Sequence, residues 1–206
     1  DDSSAARPFS DQNRREIPAP PEPRDFRGIT GARRCSQPDN VSIITLRRMK
    51  VPSPIHTAVS ANLAVINQGV TLLARLNAES YAKRIPLCYH ASVGGHIRHI
   101  IEHYQAFLRG LEDGEIDYEK RVRDPMVEND PAFAGALFES IAQRLESAAP
   151  ALVNRGLHYC AETTEGIATA TSVLRELEFL LSHTIHHYAL VAVMARLQGL
   201  EPEREF

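Results

Sequence analysis

The chain has 206 residues, of which 43% are apolar and 24% charged, the balance of a globular domain and not of a disordered or fibrous chain. A formal net charge of −3 makes it a poor electrostatic partner for nucleic acid or an anionic membrane. Three cysteines, Cys35, Cys88 and Cys160, with no C-x-x-C pair, argue against a disulfide framework or a thiolate zinc site and point to a reducing, cytoplasmic compartment.

Residues 1–50 carry a net charge of +3 against −6 for the remainder. They include the run Pro18-Ala19-Pro20-Pro21-Glu22-Pro23 and no sustained apolar period, so they are expected to form a flexible arm that cannot bury enough surface to offset its ordering entropy. Organelle targeting by residues 1–48 is the lesser alternative, since six acidic residues from Asp1 to Asp25 are wrong for an acid-poor transit peptide. Equally, Met49 can be the working start, with the upstream residues an extension. Residues 201–206 end abruptly in Glu-Arg-Glu-Phe206, which reads as a truncated end.

From residue 53 the pattern is helical. Ser53-Pro54 supplies a cap and a first-turn proline, and Ala58, Leu63, Val65, Ile66, Val70, Leu72, Leu73 and Leu76 predict a first helix of about six turns. Tyr81 to Ala91, with Pro86 inside it, reads as a loop. Ser92 caps a second helix running to about Leu111. Asp130-Pro131 opens a third, with Phe133, Leu137, Ile141 and Leu145 expected on its inward face, ending before Pro150. Residues 151–171 read as irregular with a short hairpin around Glu165-Gly166. Thr171 or Ser172 opens a fourth helix that runs to Leu197 or Gln198 and stops at Gly199. Four long helices and no clear sheet predict an all-α four-helix bundle over residues 51–200. The links after the second and third helices are long enough for crossovers. The longest uncharged run, Phe179 to Ala195, is short for a membrane span and carries three histidines, so no membrane partner is expected.

Six of the nine histidines fall in two helices: His96, His99 and His103 in the second, His183, His186 and His187 in the fourth. His183 and His187 lie one turn apart on a stripe with Glu176, Leu180, Leu190 and Met194. Arg175, Glu178, Ser182 and Arg196 define a narrow opposite side, so the histidine stripe is expected to face inward. Two buried imidazoles need partners, and one cation can satisfy both lone pairs. A histidine from the second helix, where His99 and His103 also lie one turn apart, would complete a three-imidazole site with a position left for water or substrate. Zinc, nickel and ferrous iron all suit such donors. The competing reading makes these helical histidines ordinary core residues bonded to carbonyls or carboxylates. His186 is expected beside the site or in packing, and His56, His90 and His158 on the surface.

The run Ser92-Val93-Gly94-Gly95-His96-Ile97-Arg98-His99-Ile100-Ile101-Glu102-His103 resembles the second-helix motif of the DinB/YfiT-like family of metalloenzymes. His183-Thr184-Ile185-His186-His187-Tyr188-Ala189 resembles that family's last-helix motif, a histidine pair four apart. The resemblance implies a four-helix bundle with long crossovers, often a homodimer, and a metal triad of His99, His183 and His187 with Glu102 in the acidic position. It further implies a thiol-dependent S-transferase or isomerase, or a metal-dependent hydrolase. On this reading the substrate is a small molecule, the cofactors are a divalent ion and a low-molecular-weight thiol, and Glu102 and His103 are candidates to accept a proton or orient a ligand ring. His96 is expected in support and Glu176 in a structural or pocket-lining place. Tyr118 and Arg121 are expected at the pocket mouth, reached from the link after the second helix. A non-catalytic metal-stabilised bundle, a stress or interaction protein, is the alternative. No P-loop, H-E-x-x-H or G-x-S-x-G motif is present.

Overall fold

Each long helix begins where the sequence supplies a side-chain cap. In the computed structural model, which describes residues 53–152, 155–160, 167–203 and 206, Ser53 accepts from the His56 amide to start α1, Pro54–Leu73. Ser92 accepts from Gly95 to start α3, Val93–Asp113, after the short α2, Ala78–Ala82. Asp130 accepts from both Ala132 and Phe133 to start α5, Pro131–Ala148, preceded by the short α4, Pro125–Asn129. Ser172 accepts from Arg175 to start α6, Val173–Leu197. These bonds satisfy amides that the helix itself leaves without partners. The expected arm over residues 1–50, with Cys35 and Met49, lies outside the described residues.

The bundle is square in section: α1 packs on α5 and α6, and α3 packs on α5 and α6. The link from α3 to α5 therefore joins neighbours, while those from α1 to α3 and from α5 to α6 join helices that are not main packing partners. No helix among the described residues is long and apolar enough to cross a membrane.

Four details depart from the sequence reading. The stretch 81–91, read as loop, begins with the end of α2 and contains a 3-10 turn at Pro86–Cys88, pinned by a bridge between Ile85 and Ala91. A small sheet also exists: the short hairpin expected within 151–171 is the antiparallel pair β2, Gly156–Cys160, and β3, Ala168–Ser172, and the unexpected strand is β1, Glu115–Asp117, which pairs in parallel with β2. The third departure is in α5, which buries Ala134, Phe138, Ile141 and Leu145 while Phe133 is 37% exposed. Steps of four residues drift about 40° per step around a helix, whereas alternating steps of three and four stay on one face. In α6 the expected stripe is buried at Glu176, Leu180 and Met194, but the buried face is centred on Leu177, Leu180, Thr184, Tyr188, Val191 and Ala195. His183 and His187 sit at its edge, half-buried, and Ile185, Leu190 and Val193 lie on the open side.

The sheet fixes how the two histidine-bearing helices meet. Gly114, at φ +83°, ends α3 and turns the chain straight into β1, a conformation that glycine adopts without a Cβ penalty. β3 in turn runs straight into α6. Pairing β1 and β3 through β2 therefore ties the last turn of α3 to the first turn of α6. A polar chain crosses the core between the helices: Asn62 on α1 donates to the Leu177 carbonyl and accepts from the Tyr104 hydroxyl, which lies 3.3 Å from Thr184 Oγ1. All three side chains are fully buried.

Candidate metal centre

Counting away from the sheet gives the register of the site. His103 stands ten residues before the end of α3 and His183 ten residues after the start of α6. Each is about 15 Å from the tie at the helical rise. One turn further out, His99 stands level with His187. The ring contacts follow this ladder: His103 stacks on His183 with centroids 4.2 Å apart, and His99 meets His187 edge-on at 4.7 Å and His183 at 5.0 Å. His96, at the next level, shares a 2.9 Å Nδ1–Nδ1 hydrogen bond with His187.

The ligand atoms of His99, His103 and His183 all lie within 4.8 Å of one another. His187, placed in the triad by the resemblance, packs its ring on His99 and His183. His103, expected in a proton-handling or orienting place, is part of the close triplet. His186 is exposed, with its ring 5.4 Å from that of His187. His56, His90 and His158 are exposed, as expected.

The donor set fits a divalent ion on two observations. First, His183 Nε2 is buried without a hydrogen-bond partner, a cost that an ion would remove. Second, the His103 Nδ1–H donates to the His99 carbonyl at 2.8 Å, which leaves Nε2 as the lone-pair atom, the arrangement by which metal-binding imidazoles are oriented. The rings are held neutral. Burial, then repulsion from neighbouring rings and Arg121, brings His99 down to about 3. Burial is also the main cause that lowers His103, His183 and His187 to about 4 each.

The β1–α4 link supplies the rest of the wall. Tyr118 stacks on the His103 ring at 5.2 Å and donates its hydroxyl to Glu176 Oε2 at 2.9 Å. Glu176 is fully buried and also accepts from Thr171 and Arg175, so it ties β3, α6 and the link together. Arg121 donates from Nη1 to His99 Nδ1 at 2.7 Å. Glu102 is 4% exposed and pairs with Arg98 at 3.8 Å and Arg121 at 4.0 Å; burial pushes its carboxyl above the usual range against the pull of the arginines. A cleft of about 320 Å³, lined in part by Arg84, His96, Arg98, Glu128, His99 and His187, opens onto the rings.

Phe179 was not among the expected residues, yet its ring lies 5.4 Å from His183 and 5.2 Å from Tyr118. Its place one turn before His183 was the available signal. Arg98, one turn before Glu102, carried a similar one. The family model described as DinB superfamily matches residues 65–191, more than half of the chain and every one of the six clustered histidines. No curated protein matches the chain.

Proposed function

The chain belongs to the DinB superfamily, and on that premise we propose a metal-dependent enzyme that activates a small-molecule thiol or a water at a three-histidine site. The observation that carries this reading is the close triplet of His99, His103 and His183. These three would hold the ion, with His187 as the alternative third donor; the set implied by the family resemblance shares His99 and His183 with this one. Zinc, nickel and ferrous iron are the ions such donors suit. A divalent ion bound by three imidazoles lowers the pKa of a water or thiol in its open position.

The chain's own residues do the rest. Tyr118 and the His99 carbonyl hold the His103 ring in place. His187, at the cleft and bonded to His96, is the group on the substrate side able to take a proton. Glu102 is given the task of holding Arg121 and Arg98. The cleft, with Arg84 and Arg98 among its lining residues, has room for a small substrate. We assign this activity to residues 51–200 and to a reducing, cytoplasmic setting, with the homodimer left as an expectation of the resemblance.

Elemental analysis of native protein tests the reading: about one divalent ion per chain is expected, with a large loss in His99→Ala and His183→Ala. Comparing His103→Ala with His187→Ala identifies the third donor. Turnover on activated esters, amides or thiol-conjugation substrates, lost with the ion, supports the enzyme. Full metal occupancy with no turnover in any class favours a non-catalytic metal clamp, and protein that takes up no ion refutes both.

A further inference from the structure

Arg121 stands where it competes with a cation. Its side chain is 15% exposed, and the turn that carries it is fixed, because Asp117 Oδ1 accepts from the Glu119 and Lys120 amides. Its Nη1 donates to His99 Nδ1 at 2.7 Å. A guanidinium only donates, so Nδ1 must be the lone-pair atom of the neutral ring and Nε2 must carry the proton. Neither nitrogen of His99 then has electrons to give. Binding an ion through Nδ1 displaces the guanidinium. Binding through Nε2 moves the proton to Nδ1 and sets two donors head-on.

A landing place lies beside it. Glu102 Oε2 is 4.0 Å from Arg121 Nη1, and both Glu102 Oε1 and Arg121 Nε are buried without hydrogen-bond partners. Arg98 Nε, 3.8 Å from Glu102 Oε1 in an ion pair, is also without a hydrogen-bond partner, so the carboxylate has capacity for a closer cation. Glu119, 3.7 Å away, is 56% exposed and is the weaker alternative. We infer that Arg121 guards the metal site: its guanidinium occupies the His99 lone pair, and loading of an ion requires the side chain to pass from His99 to Glu102.

This inference rests on the metal reading above, and it separates from it experimentally. The metal-free protein spends most of its time in the guarded state, so the measured affinity is the intrinsic one reduced by the open fraction. Removing the donor removes that reduction. Zinc titrated calorimetrically into the chelator-treated full chain is expected to bind roughly tenfold to hundredfold more tightly in Arg121→Leu than in the parent, the weight of one charge-assisted hydrogen bond. Histidine ¹⁵N spectra of the metal-free parent are expected to show His99 with Nδ1 unprotonated and Nε2 protonated, and this readout needs no variant to fold. Equal or weaker zinc binding by a folded Arg121→Leu, or a His99 protonated on Nδ1, overturns the guard while zinc binding by the parent keeps the metal reading. Zinc binding by neither protein overturns both.

Discussion

Replacing Glu176 with leucine probes the support beneath the histidines. The carboxylate is fully buried and accepts three hydrogen bonds, from Tyr118 at 2.9 Å, Thr171 at 2.6 Å and Arg175 at 2.8 Å. Leucine fills similar space and removes a buried charge, which by itself is favourable. Against that, the Tyr118 hydroxyl, on a residue only 4% exposed, is left without an acceptor, at about 1–3 kcal/mol. Arg175 is 57% exposed and turns to water, so its ion pair is discounted; Thr171 is half-buried and costs less than Tyr118. The net expectation for Glu176→Leu is a loss of about 2–3 kcal/mol. That corresponds to roughly 5–10 °C in Tm for a domain of this size. Urea unfolding at unchanged m value measures it. In a double-mutant cycle with Tyr118→Phe, the coupling should be about 1–3 kcal/mol. Full parental stability in Glu176→Leu, or additivity within about 0.5 kcal/mol, would refute the argument.

Metal-free protein should lose stability as pH falls from 6.5 towards 4. The histidines of the cluster have folded values below their ordinary 6.5, so the unfolded chain binds more protons in that window and stability rises with pH; Glu102, raised by burial, opposes this in part. A Tm that stays level across the window contradicts this account. Adding zinc to chelator-treated protein should raise the stability by about 2.7 kcal/mol at one hundred times Kd, and His183→Ala should abolish the rise in thermal melts. Gly94→Ala should cost about 1–3 kcal/mol or more, because a Cβ there falls on the Glu128 backbone carbonyl of α4; a melt equal to the parent's would show that α4 moves aside freely.

Much of the frame was legible because it is written locally. Ser53, Ser92, Asp130 and Ser172 announce their helices within four residues, and each caps as expected. The facing of the helices was less legible. Phe133 shares a four-residue spacing with Leu137, Ile141 and Leu145, but the α1 and α3 neighbours that decide burial are not local. The β2–β3 hairpin is local and legible; the third strand was missed for a related reason, since β1 is three residues long and finds its partner β2 some forty residues later. Without it the ten-and-ten register that sets His103 against His183 had no visible cause. Glu176 is expected in a structural or pocket-lining place, but its donors lie in three separate segments and are not visible from the sequence around it. Asn62, Tyr104 and Thr184 each look ordinary in sequence and matter only as a chain.

The placement of His183 and His187 at the margin of α6 divides labour along that helix. The residues that hold the bundle together, Leu177, Leu180, Thr184 and Tyr188, are different residues from those that present imidazoles. Exchanging one of these histidines for another side chain would leave the interior filled. A scaffold partitioned in this way can diversify its chemistry by substitution at a few marginal positions, and inherit its architecture unchanged.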